Sequence, residues 1–526
     1  MPERHDPHGP RGPARAPRAR RRRRATPRVL LVVLVAGAAL LRVPYPTSTA
    51  APATVVRTTA IDATSLLGRG LQATPSGVRA TAHVTRRAVT TRAVTSCAPI
   101  WFDGLAFTWS QRRGRPATLA IATGASRTSL GASQTLEADG GPDPDTSEAT
   151  ASAGRLGSEY VWTGGARCVR VRFRLPAGAT IGSVRAVFLN TSGTSAGPRT
   201  GPNEVGPSLV EGTSTPIASA ATREPHLITR PEWGANPKLM NCTPDVASFL
   251  TNAFVHHTAG SNAYSRAQAD DVVRGIYAYH TQVRGWCDIG YNFLVDRYGD
   301  VFEGRSGGVT NDVVGAAQMG FNTGAFSVSM MGTFDTATPP RPALRALERI
   351  LAWRLDVAHI DPRSRQEMTS GGGSTTRYKK GTIVRLHAIS GHRDTGLTDC
   401  PGGRLYALLR RIRRRVARIG LPKMYDARLS VSSVAAGEQA TVRIRARGST
   451  TLRWSVELVD HAGTGVEEIA NVRDDRLGVR WPALVDAEGS YMVVVTAHDG
   501  RGRRAMPASL PLVVRPAPSP TPTVSP

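Results

Sequence analysis

The side chains best suited to chemistry in this chain are two histidines and a cysteine spread over about 150 residues. His256 and His257 end an apolar run, Ala253 to His256 (AFVH). His392 follows a second β-type run, within Ser390-Gly391-His392-Arg393-Asp394. Cys400 comes eight residues later, just before Pro401-Gly402. Imidazole nitrogen and thiolate sulfur are preferred zinc ligands, and three protein ligands leave one tetrahedral position open. That is the arrangement of a catalytic metal site rather than a structural one. Spacing alone does not establish such a site, because the ligands come from distant segments. A lone strand histidine is more often simply packed, and a lone cysteine simply unpaired.

The elements that must position these residues are legible between 226 and 421. Ala253 to His256 reads as a buried strand. Ser265 to His280 reads as a helix, opened by a capping box of Ser265 with Gln268. Val272, Val273, Ile276, Tyr277 and His280 fall on one face of it. Tyr291 to Asp296 and Val301 to Gly304 flank a turn at Gly299 and predict a hairpin. Ala325 to Met331 and Ile383 to Ile389 read as further strands. Leu344, Leu347, Ile350, Leu351 and Leu355 form one helical stripe. Leu405, Leu408, Leu409, Ile412, Val416 and Ile419 form another, stopped by Gly420 and Pro422. Strands alternating with helices predict an α/β unit over 226–421.

A chain of 526 residues has room for about three domains at roughly 100–200 residues each. Short β-type runs separated by turn clusters such as Gly140-Gly141-Pro142-Asp143-Pro144-Asp145 predict a β-rich domain over 96–190. Similar runs over 424–516 predict an immunoglobulin-like sandwich. Residues 51–95 and 191–225 are Ala/Thr- or Gly/Ser/Pro-rich and read as linkers, and 517–526 as a disordered tail. Residues 1–50 read as a signal peptide, with an uncleaved anchor as the runner-up. They place an arginine run, Arg20 to Arg24, before the thirteen-residue apolar stretch Val29 to Leu41, which is shorter than the ~20 residues a spanning helix needs.

The formal charge is +27, and ten of the arginines lie in the first 28 residues. A secreted or wall-associated basic protein suits anionic cell-wall polymers. The apolar stretch behind the arginines argues against a nucleic-acid-binding tail. Export favours disulfides, yet there are five cysteines. Cys97 and Cys168 fall in one β-rich domain and are expected to pair. If Cys400 is a metal-bound thiolate, Cys242 and Cys287 remain to pair within 226–421.

Residues 226–421 resemble the family of peptidoglycan recognition proteins and phage-lysozyme-type N-acetylmuramoyl-L-alanine amidases. Five blocks carry the resemblance in order: Ile228-Thr229-Arg230-Pro231-Glu232-Trp233-Gly234-Ala235, then Val255-His256-His257-Thr258-Ala259-Gly260, then Trp286-Cys287-Asp288-Ile289-Gly290-Tyr291-Asn292-Phe293 with Glu303-Gly304-Arg305, then Gly391-His392-Arg393-Asp394, and last Cys400-Pro401-Gly402. Residues 97–190 look like the β region that precedes this domain in long actinobacterial members, notably at Gly141-Pro142-Asp143-Pro144-Asp145. The resemblance implies a mixed central β-sheet flanked by helices, set between two β-rich domains. It also implies a groove over Zn2+.

Carried over by position, His256, His392 and Cys400 are the metal ligands and His257 is structural. Tyr291 matches the family's active-site tyrosine. Thr398 stands where phage enzymes have lysine and animal members often have threonine. Trp286 and Asp288 are the implied substrate-binding residues. Ala317 stands where many relatives have histidine. The activity implied is hydrolysis of the amide between the lactyl group of peptidoglycan and L-alanine. No lysine or carboxylate presents itself as general base. Two rival classes remain, a binding-only muropeptide module and a wall scaffold using the outer β domains. Binding-only members of the family typically lack a zinc ligand, most often the cysteine, whereas the scaffold reading leaves the metal set unexplained.

Overall fold

The computed structural model describes residues 53–81, 88–151, 154–191 and 222–516. The expected signal peptide, most of the 191–225 linker and the 517–526 tail lie outside the described residues.

The central α/β unit is built on a five-stranded sheet in the order Val301–Glu303, Phe293–Val295, Ala325–Met330, Asn252–His257, Ile389–Gly391. The first pair is antiparallel and the others are parallel, so the sheet is mixed. Asn252–His257 lies in the interior of the sheet with every residue buried, as a near-continuous apolar run at a parallel position requires. Two helices, Arg341–Val357 and Gly403–Val416, share one core with the sheet. Leu347, Ile350, Leu351 and Leu355 come from the first, and Leu405, Leu409, Ile412 and Val416 from the second. At the other helix the Gln268 side chain accepts from Ser265 N at 2.9 Å, and the chain runs through a short 3-10 turn into Ala269–Ala278. A π-helical turn, Tyr279–Val283, then replaces the regular end expected at His280. The segment read as one strand, Ile383 to Ile389, divides. Ile383–His387 pairs with Arg365–Thr369 in a separate ribbon, and only Ile389–Gly391 joins the main sheet.

The N-terminal β unit starts earlier than composition suggested. Residues 51–95 were expected as a linker, but Val55–Ala60 pairs antiparallel with Thr180–Asn190, and Leu71–Thr74 and Gly77–Ala80 form a hairpin in the same ten-stranded sheet. An edge strand needs backbone partners more than an apolar alternation, and that is why the pattern was faint. Elsewhere the alternation is clean. Val169, Val171, Phe173 and Leu175 are buried while Arg170, Arg172 and Arg174 between them are exposed. Cys97 stands opposite Cys168 in the register and is bonded to it, and Cys242 is bonded to Cys287.

The C-terminal unit encloses its own core around Trp454, Trp481 and Leu512. Its described strands join into one six-stranded sheet through the long pair Ala440–Val459 and Gly465–Ala483. The β-rich part of the immunoglobulin-like expectation is seen, without two separate sheets.

The N-terminal unit is not a bead on a linker. Ala106, Tyr160, Trp162, Val187 and Leu189 share an apolar cluster with Tyr264, Val272, Val273 and Ile276 of the central unit. Polar anchors surround it. Arg284 donates twice to Asp139, at 2.9 and 3.1 Å, with 3% and 7% of the two side chains exposed. Burial raises the Asp139 carboxyl to about 6 and Arg284 works against that rise, so the pair is ionised at neutral pH. Truncating one partner of such a pair leaves a buried charge uncompensated and costs about 3–5 kcal/mol. Arg284→Ala is therefore expected to lower the urea midpoint sharply. Adding Asp139→Asn should recover part of the loss. A single variant with the wild-type midpoint would show that this junction is not structural.

Candidate metal centre

Parallel register brings the two histidines together. Val255 pairs with Gly391, so His256 and His392 each lie one step past the last paired residues of adjacent strands. Their ring centroids are 4.7 Å apart. His392 opens a short 3-10 turn held by Asp394, whose carboxylate accepts from Gly391 N at 2.9 Å and from the Tyr406 hydroxyl at 2.5 Å. Arg393 N donates to Cys400 O at 2.9 Å, which ties the His392 turn to the cysteine turn. Cys400 N donates to Thr398 Oγ1 at 3.0 Å.

The ligand atoms of His256, His392 and Cys400 all lie within 4.8 Å of one another. Cys400 Sγ is 3.8 Å from His256 Nδ1. Zinc bonds of about 2.3 Å to sulfur and 2.0–2.1 Å to nitrogen, at a tetrahedral angle, put those atoms about 3.5 Å apart. The set therefore fits zinc. Burial holds the His256 and His392 imidazoles below their usual range, His392 at about 3, so both are neutral and keep a lone pair for a metal. His256 Nε2 is buried with no hydrogen-bond partner. Without a cation, burial and then the nearby Glu159 carboxylate push the Cys400 thiol well above its usual range. A coordinated metal reverses that and deprotonates the thiol outright.

His257 belongs to the frame. Its Nδ1 accepts from Phe334 N at 3.2 Å and its backbone N donates to Cys400 Sγ at 3.3 Å. Tyr291 stands beside the centre, half-buried, with its ring centroid 5.5 Å from that of His256. Burial, then the neighbouring Cys400 and Glu159, raise its hydroxyl, which stays protonated and able to donate. Thr398 is also present, but its hydroxyl proton goes to Glu137 Oε2 at 2.5 Å.

Trp286 and Asp288, the substrate-binding residues that the resemblance implies, are both buried. Asp288 is fully buried; its carboxylate accepts from Ile289 N at 2.7 Å and Ser306 N at 2.8 Å and pairs with Arg230 at 3.1 Å. Trp286 is 1% exposed, stacked on His280 at 4.3 Å between centroids.

The residues that sequence reasoning missed come from the N-terminal unit. Glu159 lies with His257 and Cys400 in a second group whose ligand atoms are within 4.8 Å of one another. Glu159 Oε1 stands 3.8 Å from His257 Nε2, and burial, then the neighbouring Glu137 carboxylate, push the Glu159 carboxyl well above its usual range. Asp143 accepts from Gly320 N, Asn322 N, Asn322 Nδ2, Thr323 N and Thr323 Oγ1. Glu148 accepts from Cys287 N at 2.7 Å and from Arg305. Gly140 lies so close to the Ala317 carbonyl that an added Cβ would collide with it. Asp143 stands in the Gly141-Pro142-Asp143-Pro144-Asp145 stretch already likened to relatives, but for Glu148 the signal was only the density of acids over 137–148, which reads equally well as an exposed turn, and Glu159 had none. A cavity of about 530 Å3 opens at this junction, lined in part by Pro142, Pro144, Arg155, Met319 and Ser374. None of the three ligands lines it.

Comparison with known proteins finds relatives of the central unit. The family model described as N-acetylmuramoyl-L-alanine amidase matches residues 249–403. Peptidoglycan-recognition protein SC2 of Drosophila simulans is 30% identical over 184 residues, covering 35% of this chain and 84% of that protein. Peptidoglycan recognition protein 1 of Bos indicus is 29% identical over 183 residues, covering 35% and 82%. Among solved structures, peptidoglycan recognition protein-LE in complex with tracheal cytotoxin is 27% identical, with 35% of this chain and 92% of that chain covered and a TM-score of 0.28. The central unit is thus an amidase-type α/β domain. The chain belongs to the family of peptidoglycan recognition proteins and N-acetylmuramoyl-L-alanine amidases.

Proposed function

We propose that this protein is a secreted, zinc-dependent N-acetylmuramoyl-L-alanine amidase that releases the stem peptide from peptidoglycan. The observation that carries the reading is the complete ligand set, His256, His392 and Cys400, gathered within 4.8 Å. When bound there, zinc supplies Lewis acidity and a water acidic enough to be a nucleophile near neutral pH. The chain's own residues do the rest. The neutral imidazoles and the Cys400 thiolate would hold the ion, and the protonated Tyr291 hydroxyl would donate to the oxygen that gains charge in the reaction. The peptidoglycan partner follows from the family; relatives are named for recognising this polymer. Secretion is supported by the two disulfides. Among the described residues no helix is long and apolar enough to cross a membrane.

The test is mass spectrometry of purified sacculi after digestion. The expected products are free stem peptides beginning with L-alanine, beside intact glycan strands. Shortened glycans or cut cross-bridges would replace this reading with a glycosidase or an endopeptidase. Retention on sacculi without any release would leave the binding-only class.

A further inference from the structure

We propose that Glu137, a residue of the N-terminal β unit, is a positioning residue of the metal centre, so that this unit is a working part of the amidase rather than a spacer. The inference rests on the zinc reading above and concerns how Cys400 is held.

One carboxylate oxygen of Glu137 spans the whole ligand turn. It accepts from Thr398 Oγ1 at 2.5 Å and from Asp399 N at 2.6 Å, and Thr398 Oγ1 in turn accepts from Cys400 N at 3.0 Å. Three consecutive residues ending in the metal ligand are thereby fixed by a side chain 261–262 positions away in sequence. Turns are mobile unless tied down, and a ligand displaced by a fraction of an ångström loses its bond. Groups that orient metal ligands from behind are accordingly worth about 10–100-fold in affinity or activity.

Glu137 is itself held at both ends. It follows the Gln134–Leu136 strand, and Leu136 is fully buried in the β core. Its backbone exchanges hydrogen bonds with Glu159: Glu137 N donates to Glu159 Oε2 at 3.3 Å and Glu159 N donates to Glu137 O at 3.1 Å. Downstream, Asp139, Asp143 and Glu148 each dock on donors of the central unit. A segment fastened only as interdomain glue would not need to send a half-buried carboxylate to the turn that carries Cys400. The interface explains Asp139, Asp143 and Glu148, whereas the Glu137 carboxylate bonds to the Cys400 turn itself.

The experiment measures zinc affinity of the full chain by competition with a chromophoric chelator, with the thiolate-to-metal absorption of the cobalt-substituted protein as a second readout. Glu137→Ala is expected to weaken zinc binding by about 10- to 100-fold and to broaden or shift the cobalt band. Glu137→Gln keeps an acceptor without charge and should lose less. Thr398→Val removes the donor from the other side. It should reproduce much of the loss, and combined with Glu137→Ala it should add little more, as groups acting through one contact do. If Glu137→Ala fails to fold, Thr398→Val and Glu137→Gln carry the same comparison. A merely structural Glu137 would lower the melting temperature while leaving zinc affinity per folded molecule unchanged, and that result would overturn the inference alone. A wild-type chain that binds no zinc would overturn the amidase reading and this inference with it.

Discussion

Folded Cys400→Ser protein is expected to lose hydrolysis by about a thousandfold or more while still sedimenting with sacculi. A neutral hydroxyl is a far weaker zinc ligand than a thiolate, so the ion is lost or held badly. The metal contributes several kcal/mol of charge stabilisation, and each ~1.4 kcal/mol is a factor of ten in rate. Binding should survive because Cys400 is 2% exposed and gives a polymer almost nothing to touch. The substitution is also mild for the fold. The serine oxygen takes the place of a sulfur that accepts from His257 N, and no volume is added. A buried cysteine with only a packing role would behave otherwise, costing modest stability and leaving turnover per folded molecule nearly unchanged. The comparison is made on protein shown to be folded by circular dichroism and by its two disulfides. Wild-type turnover in that sample would remove the metal centre from the proposed mechanism.

Removing the metal from the wild-type chain is the second large effect. Chelation is expected to abolish hydrolysis and to lower the unfolding temperature of the central unit, and added zinc should restore both. A ligand present at about 1,000 times its dissociation constant stabilises the folded state by about 4 kcal/mol. For a domain of about 150–250 residues each kcal/mol moves the midpoint by about 2–4 °C, so a fall of roughly 10 °C is expected. A bound ion would be held by two neutral histidines and a thiol that burial otherwise pushes up, with Glu159 beside it. Calorimetry with and without chelator reads the shift, and metal analysis gives the stoichiometry, about one zinc per chain. Full activity in a metal-free sample would end the zinc hypothesis.

The amino-acid sequence by itself determined the ligand types and the elements that carry them. His256 closes a run apolar enough to be an interior strand, and His392 and Cys400 sit where one short strand gives way to a helix with a clear apolar stripe. Such features are local, since strand burial, helix stripe and capping box each depend on residues a few positions apart. Their register was not local. His256 and His392 meet because Val255 pairs with Gly391, a choice made by the whole sheet.

Tertiary structure alone decided what stands around the centre. Trp286 and Asp288 carry the family pattern, but only packing shows how deeply they are buried. Val55–Ala60 has too little alternation to declare itself and becomes a strand because Thr180–Asn190 offers it a backbone edge. Glu137 reads as one acid in a Gly/Pro-rich turn until the N-terminal sheet docks on the central unit and sets it against Thr398, 261 residues away. Closing a longer loop costs only about 0.6 kcal/mol more per doubling of its length, so distance along the chain does little to forbid such a contact and nothing to announce it. Pairings of that kind are chosen by the fit of two folded surfaces, and no window of sequence contains both.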